Sequence, residues 1–207
     1  MRLSVLLWLA VLFVHPTWAA EAPAPGVAPN VSRFALQVVA TRNNQGLPFL
    51  VIDKPGAMVW VFAGRGGLLG YSAVLLGQAI GDDTVPGIGE RKLASILPEE
   101  RTTPAGRFAS SVGRNLSGQE VLWVDYDSGV SMHRVIRGQP SERRAERLAT
   151  LTSDDNRVSY GCINVPITFF DKVVLPTVRI HGSIVYVLPE TRPLQQVFGF
   201  LAGGLVP

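Results

Sequence analysis

The chain has 207 residues, a formal net charge of +3, 47% hydrophobic residues and a single cysteine. That length suits one domain with a sizeable core, the mild basic excess does not imply nucleic acid, and one thiol excludes an internal disulfide framework. The same charge fits an ordinary solvated exterior or tolerance of an anionic surface.

Residues 1–19 read as a secretory signal peptide. Arg2 supplies the positive start, Leu3 to Val14 the apolar run, and Thr17-Trp18-Ala19 a small-x-small cleavage site. The run is short for a bilayer span. A retained anchor is the alternative to cleavage, so membrane contact is expected only through this segment if it stays uncleaved, and the folded part is expected outside the cytoplasm. Residues 20–45 hold a Pro/Ala linker, AEAPAPGVAP, and a short helix capped by Asn30 whose apolar positions Val31, Phe34, Ala35, Val38 and Val39 recur at helical spacing. Residues 46–190 form the body of the domain. Residues 191–207 are a tail, apolar from Val197 to Val206, expected to pack against the body.

Within the body the period changes. Strands are expected at 49–52, 58–63 and 68–76, separated by the turns DKPGA and GRGG, which together make a β-meander. GRGGLLG imitates a dinucleotide loop, but its glycines miss the G-x-G-x-x-G spacing and no helix pattern follows, so it reads as a hairpin. Residues 77–92, rich in Gly, Asp and Pro, read as a long surface loop of the kind that borders a cleft. Further strands are expected at 106–112, 120–126, 130–136 and 183–188. A charged helix is expected at 140–151, and a second opens with Pro166 in its first turn and ends near Pro176. The fold class is mainly β with short helices.

The inventory of reactive side chains is short. Beyond the leader only His133 and His181 remain, without H-E-x-x-H, so a protein-built zinc site is not expected; neither G-x-S-x-G nor S-x-x-K occurs. The thiol of Cys162, in VSYGCINVP, remains. A free cysteine is most often a small buried hydrophobe, but an exported chain gains little from a lone oxidisable thiol unless the thiol works. A nucleophilic Cys162 needs help to ionise. Two sources are at hand: the N-terminus of the helix near Pro166, and a histidine on an adjacent strand. His133 reads equally as that base and as a satisfied core histidine, and His181, before Gly182, as turn punctuation. Gly161 lets the backbone approach a substrate, so that the N–H groups of Tyr160, Gly161 and Cys162 can converge on one oxyanion.

With SYGCIN following an upstream strand histidine, the chain resembles the L,D-transpeptidase (YkuD-like) catalytic domain family of bacterial cell-wall enzymes. That family carries a histidine, a spacer, then Ser/Thr-His-Gly-Cys, a hydrophobic residue, and Asn or Arg. The matching positions are His133, Ser159, Gly161, Cys162, Ile163 and Asn164. RTTPAGRF, residues 101–108, resembles the family's T-P-x-G-x-F turn and strand, and the hairpin from Phe49 is similar to its opening hairpin. The resemblance covers roughly residues 49–189. It departs at Tyr160, which replaces the second histidine, at Arg134, where glycine is common, and in a long spacer that includes the charged helix and suggests a modified lid or acceptor side.

The resemblance implies a β-sandwich or barrel fold, no cofactor, no metal, and a periplasmic or otherwise cell-envelope location. It implies that Cys162 attacks the carbonyl joining the third residue of a peptidoglycan stem peptide to a terminal D-alanine. D-alanine leaves, a thioester remains, and an amine from a neighbouring stem or an envelope protein resolves it, with His133 moving the protons. Ser159 orients His133 or shapes the loop, Asn164 ties the loop together, and Arg134, Arg137 and Arg157 are candidates to hold stem carboxylates, with a solvent-facing role as the alternative for each. Water in place of the amine gives a thiol carboxypeptidase or endopeptidase. A catalytically silent peptidoglycan-binding module is the alternative of a different class.

Overall fold

The computed structural model describes residues 27–202, so the expected leader and most of the linker lie outside the described residues. A helix, α1 (Pro29–Ala40), precedes the strands β1 (Phe49–Asp53), β2 (Met58–Phe62), β3 (Leu68–Ala73), β4 (Leu76–Gly77), β5 (Gly106–Arg114), β6 (Glu120–Asp125) and β7 (Val130–Arg134). After α2 (Arg144–Arg147) come β8 (Arg157–Ser159) and β9 (Ile163–Val165), a helical stretch, β10 (Ser183–Val187) and α5 (Leu194–Val197). The helical stretch runs as α3 (Ile167–Phe169), a π-helical turn (Phe170–Val174) and α4 (Leu175–Val178).

Eight strands form one sheet in the order β3-β2-β1-β10-β5-β6-β7-β9, and β4 pairs with β8 in a separate parallel ribbon. Leu75, just past one edge strand, bridges Asn164 in the other edge strand. That bridge draws the two edges together, so the sheet curls towards closure and the fold is mainly β with short helices.

β1, β2 and β10 are buried on both faces, which is why each reads as an unbroken apolar run. On one face Leu50, Ile52, Val59, Val61, Val185 and Val187 join Leu122 and Met132 under Phe170, Val174 and Val178 of the helical stretch. On the other, Phe49, Val51, Trp60, Ile184 and Tyr186 are covered by Val31, Phe34 and Val38 of α1 and by Phe198 and Leu201. Both ends of the described chain therefore pack on the central strands. The second face of β5, β6, β7 and β9 has no such cover, and the site lies there.

Several local expectations are corrected. Helix α1 begins at Pro29 with Ala28 as its uncapped N-cap, because proline is preorganised for the first helical position; Asn30 sits inside the first turn. The expected third strand ends at Ala73, and β4 follows separately. The charged segment is not one helix: a 3-10 turn (Pro140–Glu142) ends at Arg143, whose φ of 46° is left-handed, and α2 restarts from there. Pro166 is the N-cap rather than a first-turn residue, and the stretch it opens continues past Pro176 to Val178. The π-helical turn widens the backbone just before Pro176, where its ring would meet the preceding turn's carbonyl.

Candidate active site

Alternation along β7 sends Met132 into the core and turns Ser131 and His133 to the opposite face, where Arg144 of the insert lies. β9 runs parallel to β7 with Asn164 opposite His133. One residue earlier, the turn between β8 and β9 delivers Cys162 opposite Ser131. The sulfur lies 3.7 Å from Ser131 Oγ and 3.7 Å from the Gly129 carbonyl oxygen. The sulfur and the His133 imidazole, on neighbouring strands, are coupled electrostatically, and Cys162 keeps part of its surface open to solvent.

His133 Nδ1 is 2.8 Å from the carbonyl oxygen of Arg134. A carbonyl only accepts, so Nδ1 carries the proton and Nε2 carries the lone pair. Burial pulls the imidazole pKa down, but the hydrogen bond and charge of the Cys162 thiolate outweigh it, helped by the Arg134 carbonyl and opposed by the Arg144 charge; the net direction is up. For the thiol, burial pushes the pKa up, and His133 together with the amide and hydroxyl of Ser131 more than offsets that, leaving it lowered. Each group thus favours the charged form of the other, as in thiolate–imidazolium pairs.

The turn that carries Cys162 is clamped on all sides. Gly161 has φ of 127°, and a Cβ there would lie 2.7 Å from the Thr102 carbonyl oxygen. Thr103, fully buried, donates its hydroxyl to the Gly161 carbonyl at 2.8 Å and accepts the Gly77 N–H at 2.8 Å. Ser159 Oγ donates to the Cys162 carbonyl at 2.6 Å and accepts the Gly161 N–H at 3.1 Å, while Asn164 Nδ2 donates to the same Cys162 carbonyl at 3.3 Å. Ser159 and Asn164 therefore hold the loop, the Ser159 hydroxyl bonding to the Cys162 carbonyl and the Gly161 amide. The RTTP block is the wall against which the glycine is pressed.

Three expectations for the site change. The Gly161 N–H is engaged by Ser159, so it does not join Tyr160 and Cys162 in facing an oxyanion. The helix terminus lies beyond β9, roughly 10 Å of extended chain from Cys162, and a macrodipole fades within a turn; the charge beside the sulfur is that of His133. Of the arginines, Arg134 points to the other face, where it pairs with Asp171 at 2.6 Å and lies over the Phe170 ring. Arg157 is committed to Glu190 and the Lys54 carbonyl, and Arg137 is exposed away from these contacts. Tyr160 forms a stack with Arg101, whose guanidinium carbon is 4.0 Å from the ring centroid. His181 is exposed at its turn.

Two residues of the site were not anticipated. Ser131 was legible in principle, since a residue two before a strand histidine shares its face. Arg144 was not. It is buried, donating through Nη1 to Asn164 Oδ1 at 2.9 Å and through Nε to Glu142 at 2.8 Å. It comes from the charged insert, where an arginine reads as solvated. Among the described residues no cluster of His, Cys, Asp and Glu is placed to hold a metal ion.

No protein-family model matches the chain, and no curated protein sequence matches it. Several solved structures are similar in fold. The catalytic domain of the Enterococcus faecium L,D-transpeptidase is 18% identical over 68% of this chain and 96% of that one, with a TM-score of 0.39. The helical cell shape determining protein of Campylobacter jejuni is 13% identical over 70% of this chain and 49% of that one, at 0.47. The Mycobacterium smegmatis L,D-transpeptidase is 18% identical over 68% and 58%, at 0.37. The chain spans about half the length of the longer neighbours.

Proposed function

We propose that this protein is an exported cysteine acyltransferase of the L,D-transpeptidase kind, acting on peptidoglycan stem peptides in the periplasm or another cell-envelope compartment. The observation that carries the reading is the dyad itself: a partly exposed cysteine and a histidine on neighbouring strands, each favouring the charged form of the other, with the imidazole Nδ1 held by a backbone carbonyl. The coincidence of the SYGCIN and RTTP blocks at that one place supports it, as does the apolar leader at 1–19 for export.

In this reading Nε2 of His133 takes the Cys162 proton and the thiolate adds to the carbonyl that precedes the terminal D-alanine. The amides of Tyr160 and Cys162 face the developing oxyanion. The imidazolium returns its proton to the leaving amine, so D-alanine departs and a thioester remains. An acceptor amine, from a second stem or an envelope protein, then loses its proton to His133 as it attacks, and the thiol is regenerated.

Incubation with a disaccharide-tetrapeptide is expected to yield crosslinked dimer and free D-alanine, with no product from Cys162→Ala or His133→Ala variants that retain the fold. Tripeptide without dimer makes the enzyme a hydrolase. A folded protein that forms no product, and whose Cys162 is not acylated by a carbapenem, is a silent binding module. Full activity of Cys162→Ala ends the thioester reading.

A further inference from the structure

The thiol has more neighbours than its histidine. Ser131 stands opposite Cys162 across the parallel β7–β9 pairing, its Oγ 3.7 Å from Sγ. The serine is 5% exposed, and its hydroxyl has no other hydrogen-bond partner among the described residues. On the other side of the sulfur is the Gly129 carbonyl oxygen, also at 3.7 Å.

These two groups treat the two states of the sulfur differently. A neutral thiol has one proton to give, and the Gly129 carbonyl accepts it. A thiolate has none to give and needs donors, and the Gly129 carbonyl then offers nothing. The Ser131 hydroxyl can rotate, accepting from the thiol or donating to the thiolate. A nearly buried hydroxyl gains most by donating to an anion.

We propose that Ser131 is a third catalytic group of this site: its hydroxyl is the donor that holds the Cys162 thiolate, a role the distant helix terminus does not fill. The inference deepens the acyl-transfer reading and rests on Cys162 being its nucleophile. The charged groups that face the pair are His133 on β7 and Arg144 from the insert, and both remain in place when Ser131 is changed.

Because Cys162 is the only cysteine, its reactivity is read without ambiguity by intact mass. The test is the rate of carboxamidomethylation by iodoacetamide as a function of pH, on the full chain, for wild type, Ser131→Ala and Ser131→Thr. Loss of the hydroxyl is expected to move the ionisation midpoint upward and to slow alkylation at pH 7 about tenfold relative to the alkaline plateau, as befits one hydrogen bond to a charged group. Ser131→Thr, which keeps the hydroxyl, is expected to retain the wild-type midpoint. An unshifted Ser131→Ala, or a Ser131→Thr shifted as far, overturns the proposal. Should Ser131→Ala not fold, Ser131→Thr against the isosteric Ser131→Val makes the same comparison. Alkylation needs no peptidoglycan, so hydrolysis in place of transfer leaves this test standing, and an unshifted midpoint leaves the acyl-transfer reading standing.

Discussion

At Gly161 two independent demands meet: a φ of 127°, which side chains seldom adopt, and a backbone oxygen of Thr102 only 2.7 Å from where a Cβ would be. Gly161→Ala must therefore either push the RTTP wall away or swing the turn, and both displace Cys162 from His133. It is expected to cost about 2–4 kcal/mol in urea unfolding and to lower the rate of product formation by two orders of magnitude or more, since misplacement of about 1 Å costs about a hundredfold. A fully active Gly161→Ala would mean the turn tolerates what its geometry forbids. Arg144 acts at longer reach. Its guanidinium holds Asn164, which holds the Cys162 carbonyl, and its charge opposes protonation of His133. Arg144→Met removes that opposition, so the His133 pKa rises further. His133 accepts a proton only when neutral, so the acid limb of the pH–rate profile is expected to move to higher pH; a limb that stays or moves down assigns Arg144 a purely structural part.

At the level of elements, the C-terminal segment shows what packing contributes. Phe198 and Leu201 are nearly fully buried, with Phe198 ring contacts to Phe34 of α1 at 4.9 Å and to Tyr186 of β10 at 6.0 Å. Deleting residues 194–207 strips these anchors, each worth about 2–3 kcal/mol of burial. The truncated chain is expected to melt well below the full chain while Cys162, on the half of the sheet away from this packing, alkylates at an unchanged rate in the cold. Loss of thiol reactivity at low temperature would instead tie the second core to the site. Legibility in the sequence follows the same lines. β1, β2 and β10 were plain because burial on both faces demands continuous apolar runs, and the tail's packing because it is apolar. β8 and β9 were not, since three residues carry no period; what identified their turn was the Gly161-Cys162 motif and not a strand signal. The charged insert reads as one helix because its composition hides the left-handed Arg143 that breaks it. Cys162 and His133 stand out in the sequence because a lone thiol and scarce histidine leave few choices, and the β7–β9 pairing sets them on neighbouring strands. Arg134 and Arg157 were misplaced because a sequence does not show which acid, here Asp171 or Glu190, faces a given arginine.

For the molecule as a whole, a buried ionic knot sets the response to pH. Lys54, after β1, pairs with Asp82 at 2.7 Å and Glu190 at 3.3 Å, both carboxylates almost wholly enclosed, and Arg157 of β8 closes on Glu190. The knot fastens the 77–92 loop to the sheet. Asp82 also accepts the N–H groups of Glu190, Thr191 and Arg192 and the Thr191 hydroxyl. Burial pushes its pKa up, but these donors together hold it well below the usual carboxylate range. A depressed folded pKa adds stability that is present above the unfolded value, about 4, and is lost as pH falls through the folded one. Asp53 works against this, because burial raises its pKa, so acidification relieves a penalty there. A wild-type acid curve alone therefore mixes two signs, and the difference from Asp82→Asn isolates one. That variant keeps the shape but leaves Lys54 with a weaker partner, so it is expected to be less stable by several kcal/mol at pH 7, as when a buried pair is broken. The gap should shrink by up to about 1.4 kcal/mol per pH unit below pH 4. Urea midpoints at pH 7, 5 and 3 read the gap directly. A gap that stays constant down to pH 3 would mean that Asp82 keeps no more hold on its charge folded than unfolded, and the loop would owe its place to Thr103 and the β4–β8 ribbon instead.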